Sequence, residues 1–310
     1  MSTSGAWYQR EEAIMGTRIA VELWATDALL AQRGIDAVMA DMHRTDQLMS
    51  TYKPESQLSQ VNAHAFDRPV QVDADIIDVV EKSLEYSRLS DGIFDITYAS
   101  VGYLYDYRAQ RHPTEAQIAA GLQAIDYRQL RVDREARTIR FLRPGMRIDL
   151  GGFAKGWAVD RGVEILRALG IEHAMVNAGG DTRLLGDRRG KPWIVGIRDP
   201  RRDGVVVTRI PLADEAISTS GDYERYFEQD GVRHHHILVP GTGKSPSGVR
   251  SVTVIGPNAT RTDGLTKPIF ILGVERGMAY VRRVGDVEAV IVDSEGQVYY
   301  SPGLEPGQQD

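Results

Sequence analysis

"RIDLGGFAKGWAVDRG", residues 147–162, decides how the rest of the chain is read. A strand-like run ends on Asp149, passes Gly151 and Gly152, and opens a helical pattern with Lys155 in its first turn. Paired glycines let backbone approach a ligand closely, and a helix start presents unpaired N–H groups carrying about half a positive charge. Lys155 adds a whole one. Three readings compete: a tight turn that only packs, a phosphate cradle, or a cradle that also holds a metal and does chemistry. The stretch is neither a G-x-x-x-x-G-K-[ST] loop nor a G-x-G-x-x-G fingerprint.

Working outward, helical periodicity predicts a helix over 27–49, another from an Asp73 cap to a stop at Gly92, one within 113–126 after a Thr114 cap, and one over 154–169. A further helix is expected over Thr262 to Leu272 or part of it. "GTRIAVELWA" reads as an early strand. "STYKPESQLSQVN" reads as a loop with a short helical turn, and "GIFDITYASVGYLYDY" as irregular. "TIRFLRPGMRIDL" suggests a hairpin turning at Pro144-Gly145. Later strands fit "HAMVNAGG", "PWIVGIRDP", "VVVTRIPL", "HHHILV", "SVTVIG" and "EAVIVDSEGQVYY". Helices and strands mix without a strict βαβ rhythm, so the expected class is α+β. The expected organisation is an arm over 1–14, a single unit over 15–301 that can divide into two lobes, and a flexible tail over 302–310.

Composition narrows the function. The 310 residues are 42% hydrophobic and 26% charged, enough for a substantial core. Net charge is −6 and basic groups are interspersed with acids, which disfavours nucleic acid as the main ligand. The absence of cysteine excludes disulfides, thiolate metal sites and a Cys nucleophile. No segment approaches the roughly 20 apolar residues of a membrane span. The N-terminus shows no signal peptide, so the expected location is cytoplasmic, or periplasmic if a leader has been removed.

Other segments repeat the glycine-edged theme: "VNAGGDTRLLG" with Asp181, "ISTSGDYERYF", "HHHILVPGTGKSPSG" and "NATRTDGLTKPIF" with Asp263. Each alone is a capped turn; together they are too many close-approach loops for simple connectivity. In a strand, His234 and His236 share one face and His235 points away, so a triple-His metal site is not supported, and His234 and His235 fit an exposed strand end.

In this order the motifs resemble the ApbE family of flavin transferases, which move FMN from FAD onto a Ser or Thr of a target protein. The matches run from "MGT" at Met15 through "MSTYKPESQLSQVN", "DGIFDIT", "IDLGGFAKGWAVD", "VNAGGD", "STSGDYERYF" and the "HI" element to "FILG" ending at Gly273. The resemblance implies largely antiparallel sheets with packed helices and an FAD cleft between lobes. It implies that Met15, Tyr52, Ile93, Phe94 and Asp95 line the flavin pocket, although core packing explains Met15, Tyr52 and Phe94 locally. It implies that Asp149 and Lys155 contact FAD, with His236 as proton carrier or orienting group and Asp263 as the other catalytic residue. It also implies Mg²⁺, held by the Gly152 carbonyl, Asp263 and Thr266.

Two departures stand out. Lys267 replaces a Thr ligand, and Val239 replaces an acid in the "HIxDP" pattern. A protonated lysine has donors only and cannot ligate a cation. Mg²⁺ is therefore either held by what remains or partly replaced by the ammonium. The implied partners are FAD and an acceptor protein. The alternatives are an FAD pyrophosphatase yielding FMN and AMP, and a flavin-binding protein with a degraded metal site.

Overall fold

In the computed structural model, which describes residues 5–202 and 204–304, the elements run β1 (Ala6–Ile14), β2 (Thr17–Ala25), α1 (Ala28–Met49), α2 (Gln57–His64), β3 (Val70–Gln71), α3 (Ala74–Leu89), α4 (Ala99–Gly102) and α5 (Glu115–Leu122). Next come β4 (Leu130–Asp133), β5 (Thr138–Phe141), α6 (Ala154–Ala168), β6 (Ala174–Ala178), β7 (Asp181–Leu185), β8 (Trp193–Arg198), β9 (Val206–Leu212) and β10 (Ala216–Gly221). The remainder is β11 (Tyr226–Gln229), β12 (Val232–His235), β13 (Val249–Gly256), α7 (Ala259–Val284), β14 (Glu288–Asp293) and β15 (Val298–Tyr300).

Eight strands form one sheet in the order β1-β2-β6-β7-β10-β13-β14-β15, antiparallel at every step. Helices α1, α6 and α7 pack on one face and bury the main core there. The β8–β9 hairpin covers the other face, where Trp193 and Leu212 join Ile217, Ile255 and Val290. The class is α+β, as expected. Caps set most helix starts: Asp27, Ser56, Asp73, Thr114 and Asn258 each accept a backbone N–H from the first turn that follows.

Several expectations are corrected. Within the segment expected as an arm, β1 pairs with β2 along its whole length. The hairpin lies upstream of Pro144-Gly145, between β4 and β5. Beyond Gly145, at φ 75°, residues 146–150 run without a strand partner. Side chains and a loop replace the ladder: Asn62 bonds both the N–H and the C=O of Ile148, at 2.8 and 2.9 Å, and Asp149 N–H donates to Ile96 O. The stretch 92–107 contains a 3₁₀ turn over Ile96–Tyr98 and the short α4. "HHHILV" is a strand only to His235, after which the chain turns back through Val239 N–H to Lys244 O. His235 is buried, with Nε2 3.0 Å from Pro246 O and its ring edge-on to Phe270. The last long helix begins at Ala259 and breaks at Gly273, φ 78°. Of the tail, Pro302–Leu304 forms a 3₁₀ turn; residues 305–310, like 1–4, lie outside the described residues.

The α6–α7 contact positions the site. Asp160 of α6 accepts Ala259 and Thr260 N–H at 2.8 and 2.7 Å, capping α7. In return Asp263 of α7 accepts Gly156 N–H at 3.1 Å near the start of α6. The two helices touch at Gly156, where an added Cβ would lie 2.4 Å from Ala259 O and 2.6 Å from Asp263 Cβ. Gly156→Ala is therefore expected to cost about 1–3 kcal/mol by overpacking, read as a lowered urea midpoint; an unchanged midpoint would show that the helices separate freely.

Candidate active site

A cleft of about 500 Å³ opens where the tips of several elements meet. The β1–β2 turn contributes Met15, Gly16 and Thr17. Met15 and Gly16 both have positive φ, 54° and 68°, the backbone of a two-residue I′ turn. A methionine in that conformation is strained.

Loops after α1 and α3 add Thr51, Tyr52, Ile93, Phe94 and Asp95. Tyr52 is 83% exposed at the mouth, with Tyr103 close by and the Arg147 guanidinium 4.6 Å above the Tyr103 ring. Phe94 lines the cleft while packing on Tyr86 and Phe153, so its core role and its pocket role coexist. Asp95 lines it too, but its carboxylate is occupied by Thr97 N–H, Thr97 Oγ1–H and Tyr127 N–H at 2.8, 2.6 and 3.0 Å. Burial pushes that carboxyl up, against these bonds. Asp95 shapes the loop and has no carboxylate oxygen left without a donor.

The floor is built from glycine corners. Asp149 Oδ1 accepts Gly151 N–H at 2.7 Å, closing the first corner, and no side chain caps α6 behind it. The second corner is Gly179-Gly180 between β6 and β7, where an added Cβ would lie 2.5 Å from Thr17 Oγ1 or from Thr219 O. No larger residue fits there. Lys155 and Lys267 both line the cleft.

Beneath them lie two buried carboxylates, Asp181 at 1% exposure and Asp263 at 0%. Lys155 pairs with Asp181 and Lys267 with Asp263 Oδ1. Burial opposes the charge on Lys155, yet Asp181 and Asp263 outweigh it and raise its pKa. Burial, then Asp263, pushes the Asp181 carboxyl up against the two lysines.

His236 also lines the cleft, its backbone N–H donating to Arg225 O at 3.1 Å. Its Nδ1 is buried without a hydrogen-bond partner among the described residues. Burial, followed by the Arg225 cation, holds its pKa at about 3, so the imidazole is neutral. The residue lines the cleft, but this particular nitrogen is enclosed by protein.

Magnesium needs oxygen donors free to turn toward it. Asp263 has spent Oδ1 on Lys267 and Oδ2 on Gly156 N–H. Thr266 is buried behind the cleft; its hydroxyl donates to Asp263 O and accepts from Ser220 Oγ, both at 2.8 Å. The Gly152 corner faces the Lys267 stem, whose Cε is 3.4 Å from where a Gly152 Cβ would stand. Among the described residues no three His, Asp or Glu converge into a metal-binding group. As arranged, these residues do not fit the ion.

Met15, Tyr52, Ile93, Phe94, Asp95, Asp149, Gly152, Lys155, His236 and Lys267 thus meet in one cleft, with Asp263 and Thr266 directly behind it. Sequence reasoning left out Arg225, Glu224, Arg147 and Tyr98 as lining residues. Arg225 and Glu224 sit in the quoted "SGDYERYF" but carry no spacing signal; Arg147 and Tyr98 read as flanks of motifs.

Among the described residues no helix is long and apolar enough to cross a membrane. The sequence profile of the ApbE family matches residues 15–291. A FAD:protein FMN transferase of Vibrio cholerae is 36% identical over 82% of this chain and 76% of its own. One from Klebsiella pneumoniae is 31% identical, over 95% of this chain and 92% of its own. The crystal structure of the ApbE protein of Thermotoga maritima superposes with a TM-score of 0.89 at 32% identity, covering 96% of this chain and 98% of that one.

Proposed function

The chain belongs to the ApbE family and is a flavin transferase; from that premise we propose that it transfers the FMN half of FAD to a Ser or Thr hydroxyl of an acceptor protein and releases AMP. The observation that carries this reading is the convergence of two glycine corners and two lysines on one cleft. Glycine corners and a helix start suit a diphosphate, and lysine supplies point charge to its oxygens.

The diphosphate lies at Gly151, Gly152 and the start of α6, with the flavin ring toward Tyr52, Met15 and Phe94. The acceptor oxygen attacks the FMN-side phosphorus, and the bond from that phosphorus to the bridging oxygen breaks. AMP departs with the bridging oxygen. His236 accepts or orients the hydroxyl proton, for which a neutral ring is the required form. Lys155 and Lys267 stabilise charge on the leaving phosphate. Such transfers depend mainly on positioning and electrostatics.

Tyr52→Ala is expected to weaken FAD binding about 3- to 10-fold, the scale of one aromatic contact, with no change in urea midpoint because the ring is exposed. Fluorescence titration reads the first and urea unfolding the second; full FAD affinity in the variant would place the flavin elsewhere. The transfer itself is tested by mass spectrometry of a candidate acceptor after incubation with FAD. An FMN adduct on Ser or Thr supports the proposal, and an unmodified acceptor with FAD bound and intact contradicts it.

A further inference from the structure

We propose that Lys267 is a built-in cation, so that this chain grips the FAD diphosphate and transfers FMN without a divalent metal. The inference rests on the proposed function and concerns how the same site handles charge. Lys267 Nζ bonds Asp263 Oδ1 and lies 3.2 Å from Asp263 O, leaving one of its three N–H donors for a ligand. The side chain lines the cleft and its Cε packs against the Gly152 corner. The remaining N–H is thus supplied where the diphosphate lies.

A metal ion has no comparable opening. It would have to draw Asp263 Oδ1 away from Lys267, or Oδ2 away from Gly156 N–H at the start of α6. Thr266 is no substitute, since its proton is committed to Asp263 O and its lone pair to Ser220. A divalent ion would also stand within a few ångströms of a buried ammonium, where like charges repel strongly. The second pair, Lys155 with Asp181, repeats the design beside it. Two carboxylates hold two ammonium groups, and both lysines line the cleft.

The test is FAD binding by the full chain, followed by flavin fluorescence, in EDTA and in Mg²⁺, with Mn²⁺ uptake by the FAD-loaded protein followed by electron paramagnetic resonance. The expected result is an FAD Kd that changes less than about threefold on chelation, a fraction of the tenfold step worth 1.4 kcal/mol, and no tightly bound Mn²⁺. Lys267→Thr is expected to bind FAD at least about tenfold more weakly in EDTA, on the same scale, and to recover with Mg²⁺ while taking up Mn²⁺. The wild-type comparison stands even if that variant folds poorly. Wild-type FAD binding or AMP release that is lost in EDTA and restored by Mg²⁺ overturns the inference and leaves the transferase reading intact, as does one tightly held Mn²⁺ per FAD. No FAD binding in either buffer overturns both.

Discussion

Lys155→Met is expected to lower stability by about 3 kcal/mol and to abolish measurable FAD binding. The stability loss follows from Asp181, whose side chain is 1% exposed and whose charge Lys155 neutralises. Removing one partner of a buried pair strands the other, at a cost of about 3–5 kcal/mol; the lower end applies because the Lys155 side chain is 26% exposed. The binding loss has a separate cause, the missing charge on the diphosphate. The double variant Lys155→Met/Asp181→Asn separates the two. It is expected to regain most of the lost stability, because the stranded charge is gone, while FAD affinity stays at least about 100-fold reduced, the worth of roughly 3 kcal/mol. Urea unfolding and fluorescence titration on the three proteins decide it. Affinity that returned together with stability would make Lys155 a structural residue only.

His236→Ala is expected to lower kcat about 10²- to 10⁴-fold, the usual contribution of a positioned acid–base group, with FAD affinity changed far less. The sign of the pH dependence follows from the ring's environment. With a pKa held at about 3 by burial and the Arg225 cation, the imidazole is unprotonated across pH 5–8. The kcat/KM profile, which reports free enzyme, is therefore expected to show no acid limb near 6.5 from this residue. An acid limb at 6–7 in the wild type that disappears in His236→Gln would contradict a neutral histidine. His235, held at about 4 chiefly by burial, is bonded to Pro246 O, does not line the cleft and is not expected to enter the profile.

Much of this was legible before the structure. Capping residues marked the helices, since Asp27, Asp73 and Thr114 announce their starts locally. The glycine-edged motifs fall on loops that the fold brings to one cleft, Gly151, Gly152, Gly179, Gly180 and Gly221 among its lining. What failed depends on contacts distant in sequence. Residues 146–150 have strand-like composition but lie across Asn62 and the 96–100 loop, so their hydrogen bonds go to partners no local pattern announces. His235 looked like the outward residue of its strand, yet the chain leaves the strand at His236 and folds His235 inward against Phe270. Asp95 does line the cleft where it was expected, but its three hydrogen bonds to Thr97 and Tyr127, the second of them distant in sequence, could not be read from the local pattern. Lys155 and Asp181 lie in separate motifs, and only the fold makes them a pair. Lys267 was visible as a departure, and helical spacing alone sets it beside Asp263; that the other Asp263 oxygen is taken by the start of α6 required the fold.

The most direct test of the central claim uses FAD labelled only at its FMN-side phosphorus, mixed with the chain and an acceptor protein. If the glycine corners and lysines hold the diphosphate so that this phosphorus meets the incoming hydroxyl, the label becomes covalently attached to the acceptor, and unlabelled AMP appears in equal amount. Label recovered as free FMN with the acceptor untouched, or an acceptor carrying AMP instead, would contradict it.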